Sequence, residues 1–190
     1  MKKFTLYILT AFGLMGLATS CNDFGDVNND PMNLNPGVVD YKMEFTQVEA
    51  QICGSDWDVW RNGCIYTANM IQHTASVDWA YGVFYTWNDQ YSGAYWGGFY
   101  SGGRAAIRNI IDVMNNWEGN PAYANEYQMC RILKAYMFQN MTDLYGDVPY
   151  SEAGQGYSTN PIPYPKYDTQ EAIYNDLLKE LDEAQAALST

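Results

Sequence analysis

The sequence predicts an all-α protein of tetratricopeptide-like stacked helix pairs, joined by long aromatic-rich loops and truncated on its C-terminal side. Three observations carry this. Apolar residues between positions 101 and 188 recur every three or four places, the period of a buried helix face. Glycine and proline breaks cut that stretch into a helix, a second helix, a long loop and a third helix. No segment shows the strict alternation of a half-buried strand. The tetratricopeptide consensus itself is not legible, so the stacking follows from helix spacing alone.

At the N-terminus, Lys2 and Lys3 precede an almost wholly apolar run from Phe4 to Ala18, and Ala18, Thr19 and Ser20 are small. This is the pattern of a secretory leader over residues 1–20, and it is too short for an ordinary membrane span. Cys21 follows at once in LATSC, which resembles a bacterial lipoprotein lipobox. The resemblance implies cleavage before Cys21 and acylation of its thiol, a stable anchor because each buried CH₂ contributes about 0.8 kcal/mol. Residues 21–40, rich in Asn, Asp and Pro, read as an extended tether. Asp26, Asn28 and Asp30 open like a calcium loop, but Pro31 stands where that loop needs glycine and Gly37 where it needs glutamate, so the match fails.

The body, residues 41–190, begins with helical patterns over 41–53 and about 59–73. Ten aromatic residues interleaved with Gly, Ser and Asn fall within positions 76–100, which reads as at least partly loop. A helix is expected from Ser101, with Ala106, Ile110, Val113 and Trp117 on one stripe and Ile107, Ile111 and Met114 beside it. Gly119-Asn120-Pro121 ends it. The next runs from about Ala122 to Tyr145, with Tyr127, Cys130, Leu133, Met137, Met141 and Leu144 facing inward, and Gly146 closes it. The last is expected to start at Asp168, whose side chain and Glu171 form a capping box, with Ile173, Leu177, Leu181, Ala184 and Leu188 as its stripe. That stripe has no cover where a solenoid normally carries a polar cap, which points to the N-terminal part of a longer protein.

Composition excludes several functions. With 10 Lys+Arg against 22 Asp+Glu, a net charge of −12, the surface repels a phosphate backbone, so nucleic acid is not a partner. His73 is the sole histidine and no Cys-x-x-Cys pair exists, which argues against zinc. No phosphate-cradling glycine loop occurs, and no cofactor is implied. Cys53 and Cys64 are left open as a disulfide or as free thiols; Cys130 sits on an apolar stripe. Asp143, Asp147 and Glu152 in DLYGDVPYSEA straddle the Gly146 cap without a partner that would tune one against another, so they read as solvated acids at a helix stop. Arg104, Arg108 and Asp112 read as an exposed ion-pair face.

The segment RILKAYMFQNMTDLYGDVPYSEA, followed by PKYDTQEAIYNDLLKELDEAQAAL, resembles the SusD/RagB family of outer-membrane lipoproteins. The likeness is strongest over 131–188, and the LATSC leader and NNDP tether agree with it. The resemblance implies a tetratricopeptide-like scaffold at the bacterial surface, a glycan or peptide ligand, and a partner in a SusC-like TonB-dependent transporter over which the protein acts as a lid. It implies binding rather than catalysis.

A sugar site needs flat apolar faces for pyranose rings and amide or carboxylate partners for hydroxyls. Residues 76–92 supply both. Trp79, Tyr81, Trp87 and Tyr91 are the candidate ligand-binding residues, interleaved with Asp78, Asn88, Asp89 and Gln90. Each has a packing alternative, because cores and pocket walls use the same side chains. Trp57 and Trp60, near Asp56, Asp58 and Arg61, could line a groove, pack inside or face a partner. Trp96 and Tyr100 read as packing. Two other functions fit less well: a secreted glycoside hydrolase, for which no acid shows a reason for a raised pKa, and a helical adaptor that binds only proteins.

Overall fold

The computed structural model describes residues 40–101, 104–156 and 160–188. The leader, Cys21 and the tether up to residue 39 lie outside the described residues. The first helix, α1 (Tyr41–Gln51), is capped by Asp40, whose carboxylate accepts from the Lys42 amide. A continuous helical stretch then begins as α2 (Asp56–Asp58), widens into a π-helical segment (Val59–Thr67) and narrows again as α3 (Ala68–Met70). After a loop come two short helices, α4 (Asp89–Ser92) and α5 (Ala94–Tyr100). The long helices follow: α6 (Ala106–Trp117), α7 (Ala124–Tyr145) and α8 (Gln170–Ala187).

The architecture is the stacked one. α6 packs on α1, α7 on α6, and α8 on α7. Side-chain pairs give the direction of the last two: Arg131 reaches Glu180 near one end, and Gln170 reaches the Thr142 carbonyl near the other, so α7 and α8 run antiparallel. Ile107, Ile110, Val113 and Trp117 of α6 are buried against Phe45 and Val48 of α1 on one side and Cys130, Met137, Phe138 and Met141 of α7 on the other. Fully burying one such side chain stabilises by roughly 1.5–3 kcal/mol, so this layer dominates the fold. Ile173 and Leu177 of α8 complete it. Cys130, sealed in that layer, has its thiol pushed up to about 12, first by burial and then by Glu126 and Glu49.

Several sequence expectations shift. α6 starts at Ala106 rather than Ser101, because Ala105 takes the left-handed conformation, φ 37°, and breaks the path. Trp96 and Tyr100 therefore lie on α5, a separate helix. Arg104 is not on an exposed helix face. It pairs with the buried Asp58, and Arg108 donates to the Asn109 side chain. Leu144 and Leu181, expected inside, are each 38% exposed. Cys53 and Cys64 are exposed free thiols.

The cap of α8 also differs. Thr169 is the N-cap, its hydroxyl accepting from the Ala172 amide. Asp168 instead turns back to the loop after α7, accepting from the Ser151 amide and hydroxyl at 2.7 and 2.8 Å and from the Tyr150 amide at 3.2 Å. A two-residue antiparallel bridge between β1 (Val148–Pro149) and β2 (Tyr167–Asp168), unforeseen from the sequence, brings these segments side by side. The acids of DLYGDVPYSEA are not idle there. Asp147 accepts from the first amide of α8, Gln170 N, at 2.9 Å. Glu152 accepts from Lys166 N at 3.0 Å, and Asp143 accepts from the Tyr174 hydroxyl. The segment is a clasp between the two longest helices.

Candidate functional site

Residues 54–92 form the region that presents the aromatic side chains. Its base is a buried carboxylate. Ser55 and Asp58 make a capping box, the Asp58 carboxylate accepting from Ser55 N at 2.9 Å and from its hydroxyl at 3.0 Å. The same carboxylate holds the Arg104 guanidinium. Desolvation works to raise the Asp58 pKa. The hydrogen bonds from Arg104 and Ser55, with the charge of Arg104, outweigh it and hold the group below the usual carboxylate range.

The π-helical segment is fixed by two buried asparagines. In the amide orientation that satisfies both its ends, Asn62 donates to the carbonyls of Tyr91 and Ser92 and accepts from Tyr95 N, all between 3.1 and 3.2 Å. It thus ties the segment to the α4–α5 junction. Asn69 donates to the Ile65 carbonyl and to Ser76, and accepts from the Thr74 hydroxyl at 2.8 Å. This folds the loop back after α3. Gly82 then donates its amide to the Ile65 carbonyl at 3.1 Å. A Cβ at position 82 would stand 2.5 and 2.6 Å from the Ile65 and Tyr66 carbonyl oxygens, so the approach needs glycine.

The loop carries strain where it presents aromatic rings. Trp79 and Tyr85 have φ of 49° and 53°, left-handed values that bulky residues rarely adopt. Strain of this kind persists only where surrounding contacts impose it, and it concentrates at ligand clamps. Here the Tyr85 hydroxyl donates to the Met70 carbonyl at 3.1 Å. Asn88 caps α4 by accepting from the Gln90 and Tyr91 amides, which sets the direction of Tyr91.

These devices converge on one open groove of about 580 Å³ lined by Asp56, Trp57, Trp60, Arg61, Trp79, Gln90 and Tyr91. Trp60 is its centre. Its ring meets Trp57, Trp79 and Tyr91 edge to face, at 5.4, 5.2 and 6.0 Å. Trp57 and Trp79 are 60% and 52% exposed, so much of each side chain remains accessible to solvent. The Arg61 guanidinium lies over the rings of Trp57 and Tyr91, at 5.4 and 5.7 Å from their centroids. Its Nε is buried without a hydrogen-bond partner among the described residues.

Of the four residues singled out from the sequence, Trp79 and Tyr91 line the groove. Tyr81 stands behind it, half-buried between Tyr66 and Tyr91 at 6.2 and 5.5 Å. Trp87 is 71% exposed and does not line the groove; its indole N–H donates to Asp89. The centre of the site, Trp60 with Trp57 and Arg61, comes from a helix that precedes the aromatic loop. The sequence offered Trp57, Trp60 and Arg61 as neighbours, yet a helical periodicity does not reveal which face a later loop will leave uncovered.

A family profile described as starch-binding, associating with the outer membrane, matches residues 38–190. The chain belongs to the SusD-like family. Among solved structures it is similar to one titled a chitin-binding protein, with a TM-score of 0.65 and 33% identity over 78% of this chain. It is also similar to a SusD-like protein titled Bacteroidetes AC2a, with a TM-score of 0.64 and 29% identity over 80%. The chain spans 31% and 27% of those structures. No curated protein sequence matches. The stacked-helix expectation is thus the SusD-like fold, and the family's description associates its members with the outer membrane. Among the described residues no helix is long and apolar enough to cross a membrane, and no group of three or more acidic, His or Cys side chains could hold a metal ion.

Proposed function

We propose that this chain is part of a surface lipoprotein that binds a glycan reversibly in the Trp57–Trp60–Trp79–Tyr91 groove. The bound glycan would be delivered to a SusC-like TonB-dependent transporter, with Cys21 as the lipid anchor. The observation that carries the reading is Arg61. It is half-buried and laid across two aromatic faces in an open groove, where the guanidinium offers planar donors to a pair of sugar hydroxyls or an acetamido oxygen. Asp56 offers the complementary acceptor on the same wall, and Trp57 and Trp79 offer flat faces for pyranose rings. The family description names starch and one similar structure is titled chitin-binding, so α-glucans and β-linked N-acetylglucosamine oligomers are the first ligands to test.

A hydrolase acid needs a raised pKa. A raised carboxyl is found at Glu44, caused first by desolvation and then by Asp112, and Glu44 is on α1 and does not line the groove. The family description, starch-binding, supports binding without cleavage. Isothermal titration with maltoheptaose and chitohexaose should detect binding of at least one sugar. Trp79→Ala should weaken it roughly tenfold, the scale of one lost aromatic contact, and Arg61→Met should weaken it comparably. Silence with both sugars would sink the reading. Release of shorter oligosaccharides on incubation would replace it with a hydrolase. Incorporation of labelled palmitate, abolished by Cys21→Ala, tests the anchor.

A further inference from the structure

A second groove, of about 470 Å³, opens between α5, the start of α6, the loop after α7 and the returning loop before α8. Tyr91 of α4 lines the first groove, whereas Trp96 and Tyr100 of α5 line this one. Its platform is aromatic. Trp96 and Tyr167 stack with centroids 6.1 Å apart at an interplanar angle of 21°, and Tyr100 packs on Trp96 at 4.7 Å. The platform is rigid from below. The Tyr145 hydroxyl accepts from the Trp96 amide at 3.1 Å and donates to the Ser92 carbonyl at 2.7 Å, and the Tyr100 hydroxyl donates to the Pro149 carbonyl at 2.6 Å.

Another wall is Ile162-Pro163-Tyr164-Pro165, preceded by Pro161. Tyr164 is 91% exposed and Tyr167 63% exposed. Three prolines within five residues fix φ on either side of Tyr164, and the Ile162 amide donates to the Gln155 carbonyl at 3.2 Å. The backbone that carries the ring is therefore restricted, which lowers the cost of ordering this segment on a ligand. Arg108, Glu152 and Gln155 supply planar polar groups to the same groove. Glu152 is held in place by the Lys166 amide. Aromatic faces beside a guanidinium, a carboxylate and a carboxamide suit a pyranose ring with its equatorial hydroxyls.

We propose that this groove is a second saccharide subsite, in which the pyranose face stacks on the Trp96–Tyr167 platform and Tyr164 closes over it. It uses residues separate from the first groove, so the two can fail independently. The test incorporates 5-fluorotryptophan into the full chain and assigns the resonances of Trp79 and Trp96 by substitution to Phe. Maltoheptaose and chitohexaose are the probes. At least one sugar should move the Trp96 resonance. Tyr164→Ala should weaken that response roughly tenfold while leaving the Trp79 response unchanged. Tyr164 is solvent-exposed, so its loss should not unfold the chain, and an unaltered circular dichroism melt checks this.

Movement of Trp79 without Trp96 would overturn the second subsite and leave the first groove standing. No movement of either resonance with either sugar would overturn both. A Trp96 shift produced by a polyproline decapeptide and by neither sugar would overturn the saccharide assignment in favour of a peptide.

Discussion

Asp58 holds the aromatic groove in place without lining it. It is 3% exposed, closes the capping box that starts α2 and receives the Arg104 guanidinium. Gly98 leaves the passage for that guanidinium, since a Cβ there would lie 2.5 Å from an Arg104 Nη. Breaking a buried ion pair by removing one partner strands a charge and costs about 3–5 kcal/mol, but the Arg104 side chain is 35% exposed, so solvent screening reduces this to about 1–3 kcal/mol. Arg104→Met should lower the urea midpoint accordingly. The double substitution Asp58→Asn with Arg104→Met should recover part of the loss, because no ionised carboxylate is then left buried. Equal stability of the single and double variants would show that the charge is not what matters at this joint. The single substitution should also weaken sugar binding, because Trp57, Trp60 and Arg61 project from the segment that Asp58 anchors.

At the scale of elements, the π-helical segment and the loop over it act as one unit. Gly82→Ala would force a methyl against two backbone carbonyls that cannot swing aside. We expect a loss of about 1–3 kcal/mol, typical of overpacking, and weaker binding at Trp79, which is held on the same loop. An unchanged melting temperature would mean that the loop moves off Ile65 freely. The long helices were legible because their cause is local: α7 ends at Tyr145 with Gly146 at φ 74°, as the glycine and following proline indicate. The clasp was not, because it depends on distant partners. Asp147 was legible as a residue beyond a helix end, but its acceptor role needs Gln170, 23 positions away. Asp168 carries an N-cap signature, yet the backbone amides of Tyr150 and Ser151 claimed its carboxylate and Thr169 took the cap. The groove follows the same rule. Composition placed Trp79 and Tyr91 in a candidate site, while the central position of Trp60 depends on how a loop docks on a π-helical segment.

At the scale of the whole molecule, three joints among the described residues are each closed by a carboxylate with a lowered pKa. Asp58 joins α2 to the turn before α6, Asp168 joins the start of α8 to the loop after α7, and Glu180 joins α8 to Arg131 of α7 at 2.9 Å. At Asp58 and Asp168 desolvation acts upward and is outweighed by accepted hydrogen bonds; at Glu180 the hydrogen bond from Arg131 is the largest influence and burial opposes it. Each folded pKa lies below its ordinary value of 3.8 or 4.5, so the unfolded chain binds more protons through this range. The stability these groups contribute is complete above those ordinary values and is lost as pH falls through the folded ones. Glu44, whose pKa is raised, acts in the opposite sense. The general charge gives a contrary expectation. The chain carries −12 near neutrality and its isoelectric point is about 4.2, so acidification toward that pH relieves self-repulsion and by itself would stabilise the compact state. The two accounts separate in one experiment, the urea midpoint measured from neutrality down to about pH 3. If the joints dominate, the midpoint holds at first and then falls steeply below the ordinary carboxylate values, and Asp58→Asn flattens the fall. A midpoint that rises continuously toward the isoelectric point would show that mean repulsion outweighs the three joints together.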